Sequence, residues 1–157
     1  MVDASLILHI ATDHAGFSLK GEVVTWLKNS GYTVVDHGTH VFDAEDDFPD
    51  FISKAAQAVS QNPAHAKAII FGGSGQGEAM VANRFPRVRA TVYYGGAPDI
   101  ITLSREHNDA NILSIGARFV SLEETKLAID TWLTTAFDGK SKRERRNQKI
   151  ETVTRTI

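Results

Sequence analysis

Cysteine is absent from all 157 residues of the chain. That excludes disulfides, thiolate metal sites and a cysteine nucleophile. Proline is scarce, with 4 residues, and methionine scarcer, with 2. No apolar run approaches the roughly 20 residues needed to span a membrane. Neither sign of charge dominates: 17 Lys and Arg against 19 Asp and Glu give a net charge of −2. A balance so near neutrality gives no support to general nucleic-acid binding. The first residues, `MVDASLILHIATDHAG`, hold a short apolar run broken by His9 and carry no basic leader, so a signal peptide is not expected. Internal repeats, linkers and low-complexity segments are also missing. The expectation is a cytosolic protein, one domain over residues 1–157, large enough to bury about 70% of its unfolded surface.

What the chain does have is alternation. Strand-like stretches at 5–12, 32–38, 66–73, 88–94 and 110–117 are separated by helix-like ones. The first helix, over 16–31, places Leu19, Val23, Trp26 and Leu27 on one face and stops at Gly31. Pro49 suits the first turn of a second helix running through `FISKAAQAVSQ`. Short helices are expected over 76–85 and 97–108. Ser121 and Glu124 form a capping-box start for a helix over 121–137. Such alternation predicts a parallel five-stranded sheet covered by helices on both faces, a Rossmann-like α/β/α sandwich. The tail, 139–157, reads as a further helix. One stripe of it runs from Lys142, Arg145, Arg146 and Lys149 into Ile150, Val153 and Ile157. A solvated tail has no use for those apolar residues, so docking onto a second subunit is expected.

In open parallel sheets, ligands bind beyond the carboxyl ends of the strands. Three polar clusters fall at such ends: `TDHAG`, `GGSGQGE` and `GAR`. The second packs Gly72, Gly73, Gly75 and Gly77 into six positions and then adds Glu78. It is not a P-loop, because the lysine of that motif is absent. Its resemblance to a dinucleotide fingerprint is weak, since it follows the third strand and no acidic residue ends the next one. What remains is a cluster of backbone N–H donors, the Ser74 hydroxyl and a carboxylate in a helix's first turn. Donors aimed at one point stabilise an oxyanion, and a helix start favours an ionised Glu78. Together they suit proton abstraction beside a carbonyl. Read alone, Glu78 is more readily an ordinary first-turn residue.

His14 and His107 lie between periodic segments and are the better histidine candidates. His37 and His40 are ambiguous, while His9 and His65 read as structural or exposed. No metal-ligand spacing occurs. The acidic loop of Asp43, Glu45, Asp46 and Asp47 reads as solvated.

These segments, `ATDHAGFSLK`, `DHGT`, `DDFPDF`, `GGSGQGEAMVANR` and `SREHNDANILSIGAR`, with the basic tail, resemble the ribose-5-phosphate isomerase B / galactose-6-phosphate isomerase family in register over nearly the whole chain. The resemblance implies a homo-oligomer, dimer or tetramer, with shared active sites. It implies interconversion of aldose and ketose phosphates through a cis-enediolate, without metal or cofactor. Many members carry a cysteine as base where this chain has Gly72. The chain is similar instead to the branch with `GGSGxGE`, in which the glutamate, Glu78 here, is the base. The resemblance further implies that Asp13 holds substrate hydroxyls and His14 the phosphate or ring end. Gly73, Ser74, Gly75 and Gly77 would form the anion hole. His107 would assist ring opening with Asn108 beside it. Arg118, Arg145 and Lys149 would bind phosphate, with Arg143 and Arg146 as alternatives. Phe48 stands where many members have tyrosine.

Overall fold

A computed structural model describes residues 3–153. Five strands form one fully parallel sheet: β1 (Ile7–Thr12), β2 (Thr33–Asp36), β3 (Ala66–Gly72), β4 (Ala90–Tyr93) and β5 (Ile112–Gly116), in the order β2-β1-β3-β5-β4. The helices are α1 (Phe17–Asn29), α2 (Phe48–Gln61), α3 (Gln76–Ala82), α4 (Asp99–Asn108), α5 (Leu122–Thr134) and α6 (Ser141–Val153). A single 3₁₀ turn, His14–Gly16, leads into α1.

The central strand β3 shows why the sheet needs cover on both sides. Its Ile69 and Phe71 point into a core built with α1, α4 and α5, including Val23, Leu27, Ile101, Ile129 and Trp132. Its Ala68 and Ile70 point the other way, against Ile52, Ala55, Ala56 and Val59 of α2 and Ala82 of α3. A strand buried on both faces reads as an unbroken apolar run rather than an alternation, and `AKAIIFG` is such a run. The expected three-layer sandwich is therefore present.

Local signals explain most boundaries. Gly31 takes a φ of 89°, the left-handed stop expected after α1. Pro49 lies in the first turn of α2. Ser121 and Glu124 close both bonds of their capping box. Two helices end earlier than their sequence pattern predicts. The third stops at Ala82 because the Asn83 amide turns to the sheet edge, accepting from Ala90 N at 2.8 Å and donating to Ala90 O at 3.1 Å. Pro86 then disfavours helical backbone at Phe85. The fifth stops at Thr134, where Thr134 and Thr135 hydroxyls return to backbone carbonyls and Thr135 is extended.

An ion pair with a buried lysine fixes the β2 end of the sheet. Lys20 of α1 donates to both Asp36 oxygens at 2.8 Å and to Thr39 O at 2.8 Å. Thr12 N in turn donates to Gly38 O, and Thr39 N to Thr12 O. The segment after β2 is thereby tied to the carboxyl end of β1. No helix among the described residues is long and apolar enough to cross a membrane.

Candidate active site

The neighbouring strands β1 and β3 send their chains to opposite faces of the sheet, β1 into α1 and β3 into α3. A crevice opens at such a divide. Asp13 enters it from β1, buried to 7% exposure, and its Oδ1 accepts from Ala15 N at 3.0 Å. The turn after β3 enters from the other side. Gly75 takes the left-handed conformation (φ 77°) immediately before α3, which a glycine adopts without strain. The N–H groups of Gly73, Ser74 and Gly75 donate to no other group among the described residues. Ser74 is exposed, and its Oγ accepts a long bond from Gln76 N.

Glu78 is buried, at 5% exposure. A Cβ built on Gly72 lands on the Glu78 carboxylate, so the carboxylate occupies the space that a side chain at position 72 would take. Burial moves its pKa upward; its own backbone N–H opposes this and the charge of Asp13 adds to it. The expected preference of the helix start for the ionised form is therefore outweighed by desolvation. A carboxyl shifted in this direction moves toward the range useful to a general base at neutral pH.

Arg118 closes the third side. Its backbone N donates to Gly73 O at 3.1 Å. A Cβ on Gly73 would lie 3.2 Å from its Nη1, so the guanidinium lies over that glycine. Phe48, Gly73, Ser74, Gly77, Glu78, Arg118 and Phe119 line one concavity. The Phe48 ring packs directly on Gly77. Beside Asp13, His14 donates to Asp46 from its backbone N (3.1 Å) and from Nδ1 (2.7 Å). That bond, with Asp13, holds the imidazole pKa above its ordinary value. Asp46 is thus not the solvated loop residue its surroundings suggest, and no signal in the acidic run `DAEDD` distinguishes it from its neighbours.

Asp13, His14, Ser74, Glu78, Arg118 and the loop glycines 73, 75 and 77 accordingly converge. The remaining expected residues do not join them in the same chain. His107 and Asn108 end α4, whose next residue, Asp109, accepts from Arg89 at the start of β4. Helices joining parallel strands run back toward the amino edge of the sheet, so a residue that ends one lies at the opposite edge from Glu78. The five residues of β5 put those edges roughly 16 Å apart. Arg145 and Lys149 share that edge. The α6 helix docks on its own chain through Asn147, which donates to His107 O at 3.2 Å, and Glu151, which accepts from Arg87 N and Arg89 Nη1. Arg145, Arg146 and Lys149 remain exposed and make no ion pair among the described residues, whereas Arg143 is paired with Asp138. Ile150 and Val153 are exposed as well; Ile157 lies outside the described residues.

Among the described residues one group of potential metal ligands converges: Asp13, His14 and Asp46, with donor atoms within 4.8 Å of one another. Its histidine Nδ1 is already engaged by Asp46.

Residues 8–150 match the family model described as Ribose/Galactose Isomerase. Ribose-5-phosphate isomerase B of Escherichia coli is 37% identical over 142 residues, covering 90% of each chain. Its counterpart from Mycolicibacterium paratuberculosis is 34% identical over 139 residues, covering 88% of this chain and 86% of the other. The crystal structure of ribose-5-phosphate isomerase B from Mycoplasma genitalium with bound ribulose-5-phosphate superposes with a TM-score of 0.93 at 34% identity, covering 99% of this chain and 100% of that one.

Proposed function

The chain belongs to the ribose/galactose isomerase family, and from that premise we propose that it interconverts D-ribose 5-phosphate and D-ribulose 5-phosphate. One observation carries the assignment of chemistry: the Glu78 carboxylate fills the position of a residue-72 side chain, next to backbone N–H groups left without partners. In this reading Glu78 removes the C2 proton of the open-chain aldose and returns it to C1. The N–H groups of Gly73, Ser74 and Gly75 receive the negative charge that develops on the enediolate oxygen, where each such donor is worth roughly 3–4 kcal/mol. Gly77 keeps the loop close to the Phe48 ring. Asp13 holds sugar hydroxyls, and Arg118 with His14 takes the phosphate.

Ring opening needs a further acid, and His107 fills that role only from a second copy of the chain. We assign His107, Asn108, Arg145 and Lys149 of a partner subunit to the same site. Exposed Phe42, Met80, Tyr94 and Phe119 supply apolar surface for the contact. A phosphorylated sugar as substrate accords with a cytosolic location. Phe48, in place of the family's frequent tyrosine, removes a hydroxyl near the sugar, so four- and six-carbon aldose phosphates belong in the same assay.

Glu78→Gln tests the assignment. A positioned base contributes about 10²–10⁴-fold, so kcat should fall by at least that factor with little change in KM. Exchange of the C2 proton with deuterated solvent should vanish in this variant alone. With an acyclic aldose phosphate, His107→Ala should recover substantially and Glu78→Gln not at all. Near-normal exchange in Glu78→Gln would send the search for the base elsewhere.

A further inference from the structure

The loop between β2 and α2 holds four acidic side chains, of which Asp43, Glu45 and Asp47 are exposed. Asp46 differs, with its side chain only 8% exposed. A single oxygen, Oδ1, accepts both from the His14 backbone N–H and from its Nδ1. A carboxylate accepting at Nδ1 requires a proton there, which fixes the tautomer and leaves Nε2 as the free ring atom. Nε2 has no hydrogen-bond partner among the described residues, and the His14 side chain is 25% exposed. An edge-on contact with Phe42, at 6.3 Å between ring centroids, braces the ring.

Three charged groups face this imidazole from three elements. Asp46 comes from the loop before α2, Asp13 from the end of β1 with its Oδ2 3.8 Å away, and Arg118 from the turn after β5. The hydrogen bond that the ring donates to Asp46 is the largest influence, and both acids favour the protonated ring against the opposing arginine and the cost of burial. The second carboxylate oxygen of Asp46, Oδ2, is buried without a partner. Leaving a charged oxygen so placed is costly, and a loop anchored for its own sake is served as well by a neutral asparagine. The charge itself has a use, and that use is on His14.

We propose that Asp46 is a positioning residue: it seats His14 as a donor whose Nε2–H binds the anionic end of the substrate beside Arg118. The proposal rests on the sugar-phosphate reading above for the identity of that anion. Its tests do not need turnover. The first is an NMR titration of the His14 ring in labelled protein, assigned with His14→Gln, for the unaltered chain and for Asp46→Asn. The His14 midpoint should move down in the asparagine variant. The second is calorimetric binding of inorganic sulfate, a phosphate-like anion whose charge is the same at pH 6 and pH 8. Asp46→Asn should bind it roughly tenfold more weakly at pH 8, where loss of the ring proton removes a charge-assisted bond, and with a much smaller loss at pH 6. Asp46→Glu, which keeps the charge, should recover part of the binding at pH 8. An unchanged midpoint, or equal weakening at both pH values, makes Asp46 a loop anchor and overturns the proposal. If Asp46→Asn does not fold, His14→Gln serves in its place: it should abolish the pH-dependent part of sulfate binding, and persistence of that part is equally fatal. Failure of the protein to isomerise any sugar phosphate would overturn the proposed function and leave both readouts standing.

Discussion

Glu78 is placed by an absence, the side chain that Gly72 does not have. Position 72 ends β3 in the centre of the sheet, so its backbone cannot shift to make room. Gly72→Ala should therefore keep the fold and displace the carboxylate. A base moved by about 1 Å from its working geometry costs on the order of 10²-fold. We expect kcat to fall by that order while the urea midpoint changes little. A variant with normal kcat would show that the carboxylate works from another position. Much of the site was legible at this scale, because Asp13, His14, Ser74, Glu78 and Arg118 all follow strand ends in sequence. The coincidence of Gly72 with the Glu78 carboxylate was not, since it depends on the turn geometry at Gly75. Nor was Asp46, whose burial is decided by where a long loop folds back onto β1.

At the scale of elements, the β1–β2 side of the sheet holds a histidine pair apart from the candidate site. His9 Nδ1 and His37 Nε2 lie 2.8 Å apart, with the rings stacked. Burial, and then the charge of its neighbour, lower the His9 pKa to about 4. His37 is also lowered, chiefly by burial. Both groups titrate near 6.5 in the unfolded chain. Above that value neither state is protonated and the pair costs nothing. As pH falls from 6.5 toward about 4, the unfolded chain binds protons that the folded chain refuses, so stability declines through that window. Urea midpoints between pH 7 and pH 4.5 should show this decline, and His9→Leu should make it shallower. An unchanged slope would place the acid sensitivity elsewhere. Other elements show what sequence patterns convey and what they do not. The apolar run of β3 and the capping box of α5 announce themselves. The early end of α3 does not, because it depends on Asn83 finding the edge of β4, a strand not yet reached in the chain.

For the whole molecule, the decisive feature is that α4 ends at the amino edge of the sheet while Glu78 stands at the carboxyl edge. Topology alone implies this, since `SREHN` closes a helix between two parallel strands; the tail's stripe pointed to a second subunit, whereas nothing in the pattern around His107 and Asn108 said which chain supplies them. The two faces of α6 fit the same division: Asn147 and Glu151 turn inward, and the cations with Ile150 turn out. If two chains share each site, mixing two inactive variants should restore function. A mixed dimer of Glu78→Gln and His107→Ala holds one site with both lesions and one with neither. Random exchange in a symmetric dimer then yields about one quarter of normal activity. An activity no greater than that of the separate variants would place the whole site in one chain. Shared sites, with their two halves separated across the sheet, would also give the protein a dependence on its own abundance. If each site is shared in this way, a newly released chain is inert however well it folds. Its output would then begin with its first encounter, rise as the square of its concentration while chains are scarce, and become proportional only when pairing is complete.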